Sequence, residues 1–289
     1  MSDTAELLPN AILRRAAARM ESFSNSNARR DAEIMLAHVL DIEITQLPLK
    51  TEAVSSVDYS LFEQMVERRC TDEPVAYITG RQSFWSFDFR VNEHTLIPRP
   101  DTEILVEVCI AALKGQKSAH ILDIGTGSGC ILLSILSEVD GSTGIGIDVS
   151  DQALAIATEN AFDNNLNTRA SFMCGDMLAP IEAGDAQSFD LIVSNPPYIP
   201  TRDIDDLMHD VKDYEPLSAL DGGNDGYDFY RILAVDSLQY LKKGGTLAVE
   251  VGFGQAAAVS SLFQAAGFKE IMVKQDLNGI DRVVSGKNS

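Results

Sequence analysis

Apolar side chains recur at helical spacing through the first eighty residues. Ile12, Leu13, Ala16, Ala17 and Met20 form one stripe, and Leu61, Phe62, Met65 and Val66, leading to Arg69, form another; a period of three to four residues places such side chains on one face of an α-helix. Asp31 to Leu40 fits a third helix. From Trp85 the period shortens to two, with Trp85, Phe87, Phe89 and Val91 on one side and Ser86, Asp88 and Arg90 on the other, the pattern of a half-buried strand. A β-hairpin linker is therefore expected over 81–98. Pro98 and Pro100 stiffen the chain after it, and Ile104, Leu105, Val108 and Ala112 resume helical spacing within Asp101–Leu113.

Further on, apolar runs at 119–124, 143–148, 171–175, 189–194 and 245–251 alternate with helical patterns. This alternation predicts a doubly wound α/β domain on a mainly parallel sheet. The last two runs, Phe268 to Val273 and Arg282 to Ser285, leave no room for a helix between them and are expected to pair antiparallel at one edge. The division that follows is a helical domain over 1–80, the hairpin over 81–98 and an α/β domain over 99–289.

With 289 residues the chain can bury a core without disulfides. Cys70, Cys109, Cys130 and Cys174 lie far apart, with no Cys-x-x-Cys pair and no histidine beside them, so no zinc site is readable and all four are expected to be reduced and mostly buried. Met1 to Pro9 carries Asp3 and Glu6 in place of the basic start of a signal peptide, and no apolar run approaches the roughly 20 residues that span a bilayer, so a cytoplasmic location is expected. A net charge of −20 repels phosphate backbones. Nucleic acid is therefore a poor first candidate as substrate, although a local basic groove could override the total, and a basic protein partner fits more easily.

Ile121-Leu122-Asp123-Ile124 runs into Gly125-Thr126-Gly127-Ser128-Gly129 and then a helical pattern over Cys130 to Leu136. A strand, a glycine turn and a helix start in that order let ligand atoms approach bare backbone at the strand end. A dinucleotide fingerprint would want glycine at Cys130, and a phosphate loop would end in Gly-Lys-Ser/Thr; both are absent. Asp123, just before the turn, opposes a pyrophosphate and favours a cation. Asp148 ends the next strand, where a carboxylate can accept both hydroxyls of a ribose. Asp176 and Met177 end the third, where an acid can hold the exocyclic amine of adenine and an apolar side chain can pack on its ring. A pocket with carboxylates and no phosphate-binding lysine suits a ligand carrying an adenosine and a positive sulfonium, S-adenosyl-L-methionine. The alternative is that the three aspartates only cap turns.

Asp190-Leu191-Ile192-Val193-Ser194 reads as a buried strand that delivers Asn195-Pro196-Pro197-Tyr198 to its C-terminal end. Prolines hold Asn195 and Pro196 extended and remove the donors that would compete for the Pro196 carbonyl. The Asn195 side-chain oxygen and that carbonyl can accept both N–H bonds of a planar NH₂ group, with the Tyr198 ring stacked on its face. An amide nitrogen is a poor nucleophile, and acceptors that favour its pyramidal form stabilise the charge developing during transfer. Elsewhere in a chain, Asn-Pro-Pro is an ordinary turn.

With these motifs the chain resembles class I methyltransferases that modify amino or amide nitrogens. The finer resemblance, over nearly the whole chain, is to the release factor glutamine methyltransferase family (PrmC/HemK). It rests on the glycine turn and on Pro74-Val75-Ala76-Tyr77-Ile78-Thr79-Gly80, Ile97-Pro98-Arg99-Pro100-Asp101-Thr102-Glu103, Ser194-Asn195-Pro196-Pro197-Tyr198-Ile199 and Tyr214-Glu215-Pro216 leading to Ala219-Leu220, with Asp276 to Val283 similar to the family's last strand. The resemblance implies a helical substrate-recognition domain, a β-hairpin linker and a seven-stranded methyltransferase sheet. It also implies methylation, at N5, of the glutamine in the Gly-Gly-Gln motif of peptide chain release factors, leaving S-adenosyl-L-homocysteine. Carried over by position, Gly125 to Gly129, Asp148, Asp176, Met177 and Asn195 would hold the cofactor, and Asn195, Pro196, Pro197 and Tyr198 the glutamine, with Asn195, Pro196 and Tyr198 catalytic. Met177 stands where some members carry tryptophan.

Asp203, Asp205, Asp206, Asp210, Asp213 and Glu215, against Arg202 and Lys212, read as an acidic rim that either attracts a basic partner or is only a solvated loop. Two other functions compete with the leading one: adenine N6 methylation of DNA or RNA through the same tetrapeptide, and a non-catalytic module that kept the fold.

Overall fold

The computed structural model describes residues 7–22, 27–181 and 186–289. Met1 to Glu6, which carry most of the signal-peptide reading, lie outside the described residues. The chain folds as two compact units, one of residues 1–80 with 208–214 and one of 81–207 with 215–289.

In the first unit, helices α1 (Pro9–Glu21), α2 (Ala28–Val39) and α3 (Ser56–Arg69) precede the short α4 (Val75–Thr79). The α1 stripe of Ile12, Leu13, Ala16, Ala17 and Met20 is buried throughout and meets Met35, Leu36, Phe62 and Val66 in one apolar core. Leu61, assigned to the α3 stripe by its spacing, is instead exposed. Asp31 of α2 and Arg69 of α3 form a largely buried ion pair at 2.8 Å.

The second unit opens with strands β1 (Arg81–Phe84) and β2 (Phe87–Arg90), paired antiparallel with Phe84 opposite Phe87. Trp85 therefore does not share a strand with Phe87 and Phe89. It sits in the two-residue turn at a φ of 56°, where its backbone N–H donates to Glu103 and its indole N–H to Glu138, each at 2.8 Å. The alternation restarts across the turn, so Phe84 and Phe89 are the buried side chains of the hairpin.

Helix α5 (Glu103–Ala112) leads into β3 (His120–Ile124), α6 (Cys130–Glu138), β4 (Thr143–Asp148), α7 (Asp151–Asp163), β5 (Ala170–Cys174) and β6 (Phe189–Ser194). After these come α8 (Asp228–Asp236), β7 (Leu241–Glu250), α9 (Ala256–Ala266), β8 (Lys269–Gln275) and β9 (Asp281–Lys287). The seven-stranded sheet has the order β5-β4-β3-β6-β7-β9-β8. It is parallel except around β9, which runs antiparallel to both β7 and β8. A large apolar cluster covers each face, one around Leu105, Leu132 and Leu136 and the other around Tyr230, Leu233 and Phe263. β7 starts four residues earlier than its apolar run, because a bulge lets Leu241 pair with Phe189 before Thr246 pairs with Leu191.

All four cysteines are free thiols; Cys109 and Cys130 are buried, Cys70 is half-buried and Cys174 exposed. Among the described residues no helix is long and apolar enough to cross a membrane.

Candidate active site

The chain leaves β3 toward β4 on one side, and β6 lies on the other, so the order of winding reverses between β3 and β6. Ligands of open α/β sheets bind at such a switch point, beyond the carboxyl ends of the strands. Ile124 pairs with both Ile147 and Ser194. Gly125, Asp148 and Asn195 therefore leave three adjacent strands at one level.

The glycine turn is tied to β4. The N–H groups of Gly125 and Thr126 both donate to the Ile147 carbonyl, at 2.8 and 2.9 Å. Asp148 accepts from Gly127 N through one oxygen (2.9 Å) and from Ser150 N through the other (3.0 Å). Gly125 and Gly127 have φ of 72° and 55°, and a Cβ at either would meet nothing within 4 Å. Their backbone is thus open to a ligand, in a conformation that other residues adopt only under strain.

Asp123 plays a different part from the one its position suggests. Its carboxyl lies wholly buried beneath the turn and outside the cavity wall, accepting the Thr126 hydroxyl at 2.7 Å, with its other oxygen unpartnered. Burial pushes it up to about 7, against the Thr126 bond. It fixes the turn from below, outside the cavity wall.

Above the strand ends lies a cavity of about 640 Å³, in the range of small-molecule sites. Its wall includes Gly125 to Ser128, Asp148, Asp176 and Met177, then Ser194 to Pro197, together with Leu96, Pro98, Arg99 and Pro216 to Ala219. Three carboxylates, Asp148, Asp176 and Asp221, face a wall that contains no lysine. Arg99 is engaged by the buried Glu215. Open turn backbone, acids at the strand ends and apolar side chains between them fit an adenosine that carries a cation.

Of the residues predicted from sequence, Asp123, Gly129 and Tyr198 are absent from this wall. Gly129 has left it to cap α6, at a φ of 80°. The Tyr198 ring turns away into the core around Tyr230 and lies beside Gly252, whose added Cβ would come within 3.0 Å of it. Stacking on a substrate NH₂ is therefore not the arrangement found; the aromatic ring satisfies its apolar surface against the protein instead.

Asn195 donates through Nδ2 to the Thr102 hydroxyl at 3.3 Å. The Pro196 carbonyl takes no hydrogen bond from any described residue. Ser194, buried at the end of β6, donates its hydroxyl to the Ile124 carbonyl at 2.7 Å and so ties β6 to β3.

Several supporting residues give no local sequence signal. Gln255 is buried and donates to the Tyr198 carbonyl at 3.0 Å while accepting from Gly252 N at 2.9 Å. Segment 220–223 pairs with the loop through Ile199 N to Leu220 O (3.1 Å) and Gly222 N to Ile199 O (2.8 Å). Asn160 of α7, fully buried, donates to the carbonyls of Ser128 (2.8 Å) and Arg90 (3.1 Å) and accepts from Arg90 N (2.7 Å). It joins the glycine turn to the hairpin. Glu215 is likewise buried and is not part of an acidic rim: it pairs with Arg99 and accepts from Ile97 N at 3.2 Å.

Residues 11–80 match the family model of the PrmC N-terminal domain, and residues 100–211 that of the methyltransferase small domain. The chain is 45% identical over 259 residues to the release factor glutamine methyltransferase of Caulobacter vibrioides, spanning 89% of this chain and 88% of that one. It is 42% identical over 282 residues to the protein of the same name from Rhodospirillum rubrum, spanning 97% and 85%. Among solved structures, the catalytic domain of hMettl16 in complex with the MAT2A 3′UTR hairpin 6 superposes with a TM-score of 0.58 at 15% identity, over 81% of this chain and 83% of that one. That likeness is one of fold alone.

Proposed function

The chain belongs to the release factor glutamine methyltransferase family, and from that premise we propose that it methylates the side-chain amide nitrogen, N5, of the glutamine in the Gly-Gly-Gln motif of peptide chain release factors. S-Adenosyl-L-methionine, when bound, supplies the electrophilic methyl group. Gly125 to Ser128 would offer its amino-acid part bare backbone, Asp148 would accept the ribose hydroxyls, and Asp176 with Met177 would hold the adenine. We place the reaction in the cytoplasm, where release factors act.

The observation that carries this reading is the commitment of the Asn195 amide. Its nitrogen donates to Thr102, so its oxygen is left to accept, next to a Pro196 carbonyl that takes no hydrogen bond from the described residues. Two acceptors side by side match the two N–H bonds of a primary amide. They orient the nitrogen and stabilise the positive charge it gains as the new bond forms. A base is not needed before transfer, because the proton leaves the nitrogen after its acidity has risen. Tyr198, with its carbonyl held by Gln255, serves to fix the loop.

Incubation with a release factor and methyl-labelled cofactor, followed by peptide mass spectrometry, tests the proposal. One methyl on the glutamine of the Gly-Gly-Gln peptide is expected. An unmodified peptide, or label on another residue, would refute it.

A further inference from the structure

Asn160, on α7, is fully buried, and its side-chain amide is shared between two elements of the second unit. Oδ1 accepts the Arg90 N–H at 2.7 Å, while Nδ2 donates to the Arg90 carbonyl at 3.1 Å and to the Ser128 carbonyl at 2.8 Å. Both N–H bonds of the amide are thereby spent, and the isosteric aspartate could make only the first of the three bonds. Strand β2 pairs only with β1, and at Arg90 the Asn160 amide supplies the donor and the acceptor that a further strand would offer. Two more contacts tie the same helix to the same two elements. Gly129, at the end of the glycine turn, lies against Ala157, one helical turn before Asn160, so that an added Cβ would stand 3.3 Å from the Ala157 Cβ. Arg90 pairs at 2.7 Å with Asp163, one turn after Asn160.

We propose that Asn160 is a positioning residue that couples the cofactor site to the hairpin, so that a ligand holding the glycine turn also holds β1 and β2 against α7. Ser128 lines the cavity, whereas Arg81 to Arg90 contribute nothing to its wall, so an effect of the ligand on the hairpin must travel through the protein. The route is short, because one side chain bonds both ends. When the hairpin opens, the buried amide loses Arg90 at both of its ends and no longer has a fixed direction. The turn then loses the donor that draws the Ser128 carbonyl into the protein. Linkage is reciprocal: the factor by which the cofactor resists opening of the hairpin is the factor by which an open hairpin weakens the cofactor. The chain enters the second unit through this hairpin, so cofactor affinity becomes sensitive to whether that entry is in place. This coupling rests on the glycine turn being the seat of the cofactor, as proposed above.

Hydrogen exchange of the full chain, read by mass spectrometry with and without saturating S-adenosyl-L-homocysteine, tests the coupling in wild type, Asn160→Asp and Asn160→Ala. In wild type the ligand is expected to slow exchange about fivefold or more over both the turn and the hairpin segment 81–91, and to leave the edge strand β8 unchanged. Asn160→Asp keeps the acceptor for Arg90 N and loses both donors, and Asn160→Ala loses all three bonds. In either variant the slowing over 81–91 disappears, protection stays confined to the turn, and the calorimetric Kd for S-adenosyl-L-homocysteine rises about fivefold or more. A merely structural Asn160 would instead raise hairpin exchange equally with and without the ligand and leave their ratio as in wild type. A wild-type hairpin that stays unprotected while the turn is protected overturns the coupling, and that result needs no variant to fold. Slowing over 81–91 that persists in Asn160→Asp, or an unchanged Kd, overturns the role of Asn160. Protection of neither segment in wild type overturns the seat of the cofactor beneath it.

Discussion

Glu215 and Arg99, 116 residues apart in the chain, form an ion pair in which the carboxylate is almost wholly buried and also takes the N–H of Ile97. The pair joins Ile97-Pro98-Arg99 to Glu215-Pro216, two segments of which Pro98, Arg99 and Pro216 line the cavity. Replacing Glu215 with alanine leaves Ile97 N without its acceptor and a guanidinium without its partner. A loss of about 1.5–3 kcal/mol is expected, the range for hydrogen bonds to charged groups. Trp85, the only tryptophan, belongs to the same compact unit, and its fluorescence during urea unfolding reads the change. Glu215→Gln, which keeps an acceptor for Ile97, should lose less.

Asp148 holds the turn and, in the proposed reading, the ribose. Asp148→Ala is expected to weaken cofactor binding by about 1.5–3 kcal/mol in calorimetry, since Gly127 N loses its acceptor as well. Turnover at saturating cofactor should fall much less than affinity.

Gly222 packs on the Asn195–Tyr198 loop so closely that a Cβ would stand 2.7 Å from Tyr198 Cα and 2.9 Å from the Pro197 carbonyl oxygen. These are backbone atoms, so the loop itself must shift. Gly222→Ala should leave cofactor affinity within about twofold and lower kcat by roughly tenfold or more, because an ångström of misplacement is costly at a reacting centre. Paired measurements of Kd and kcat check it.

Asp123 and Glu250 are both pushed up to about 7 by burial, from ordinary values of 3.8 and 4.5. Between those ordinary values and about 7, the folded chain keeps two protons that the unfolded chain has released. Unfolding then releases protons, and stability falls as pH rises through this window. Their contribution is full below about pH 4 and gone above about 7. Asp276, held low first by the Ile280 N–H and then by Arg282, acts in the opposite sense, losing its contribution as pH falls into the acid range. Thermal unfolding at pH 5, 6, 7 and 8 should show a declining midpoint, with a shallower slope in Asp123→Asn.

The seven strands, the glycine turn and Asn195-Pro196 were readable because each announces itself within a few residues, through apolar runs, glycines or prolines in sequence. Its spacing puts Trp85 on a strand face because a two-residue turn leaves the period of two unbroken on paper while reversing the chain. Glu215 stood in an acidic run, and spacing alone cannot separate a buried acid from solvated ones; its partner is across the fold. The same distance hides Asn160, Gln255 and Thr102, whose partners belong to other elements. Glu250 left one trace, a charge at the end of an apolar run.

Single-turnover transfer by Asn195→Ala, saturated with cofactor and mixed with a release factor, probes the grip on the amide itself. The rate should fall about 10²-fold or more while cofactor Kd stays within about twofold, as one of two orienting acceptors is removed. An unchanged rate at saturation, or a loss confined to cofactor affinity, would mean that Asn195 does not hold the reacting nitrogen.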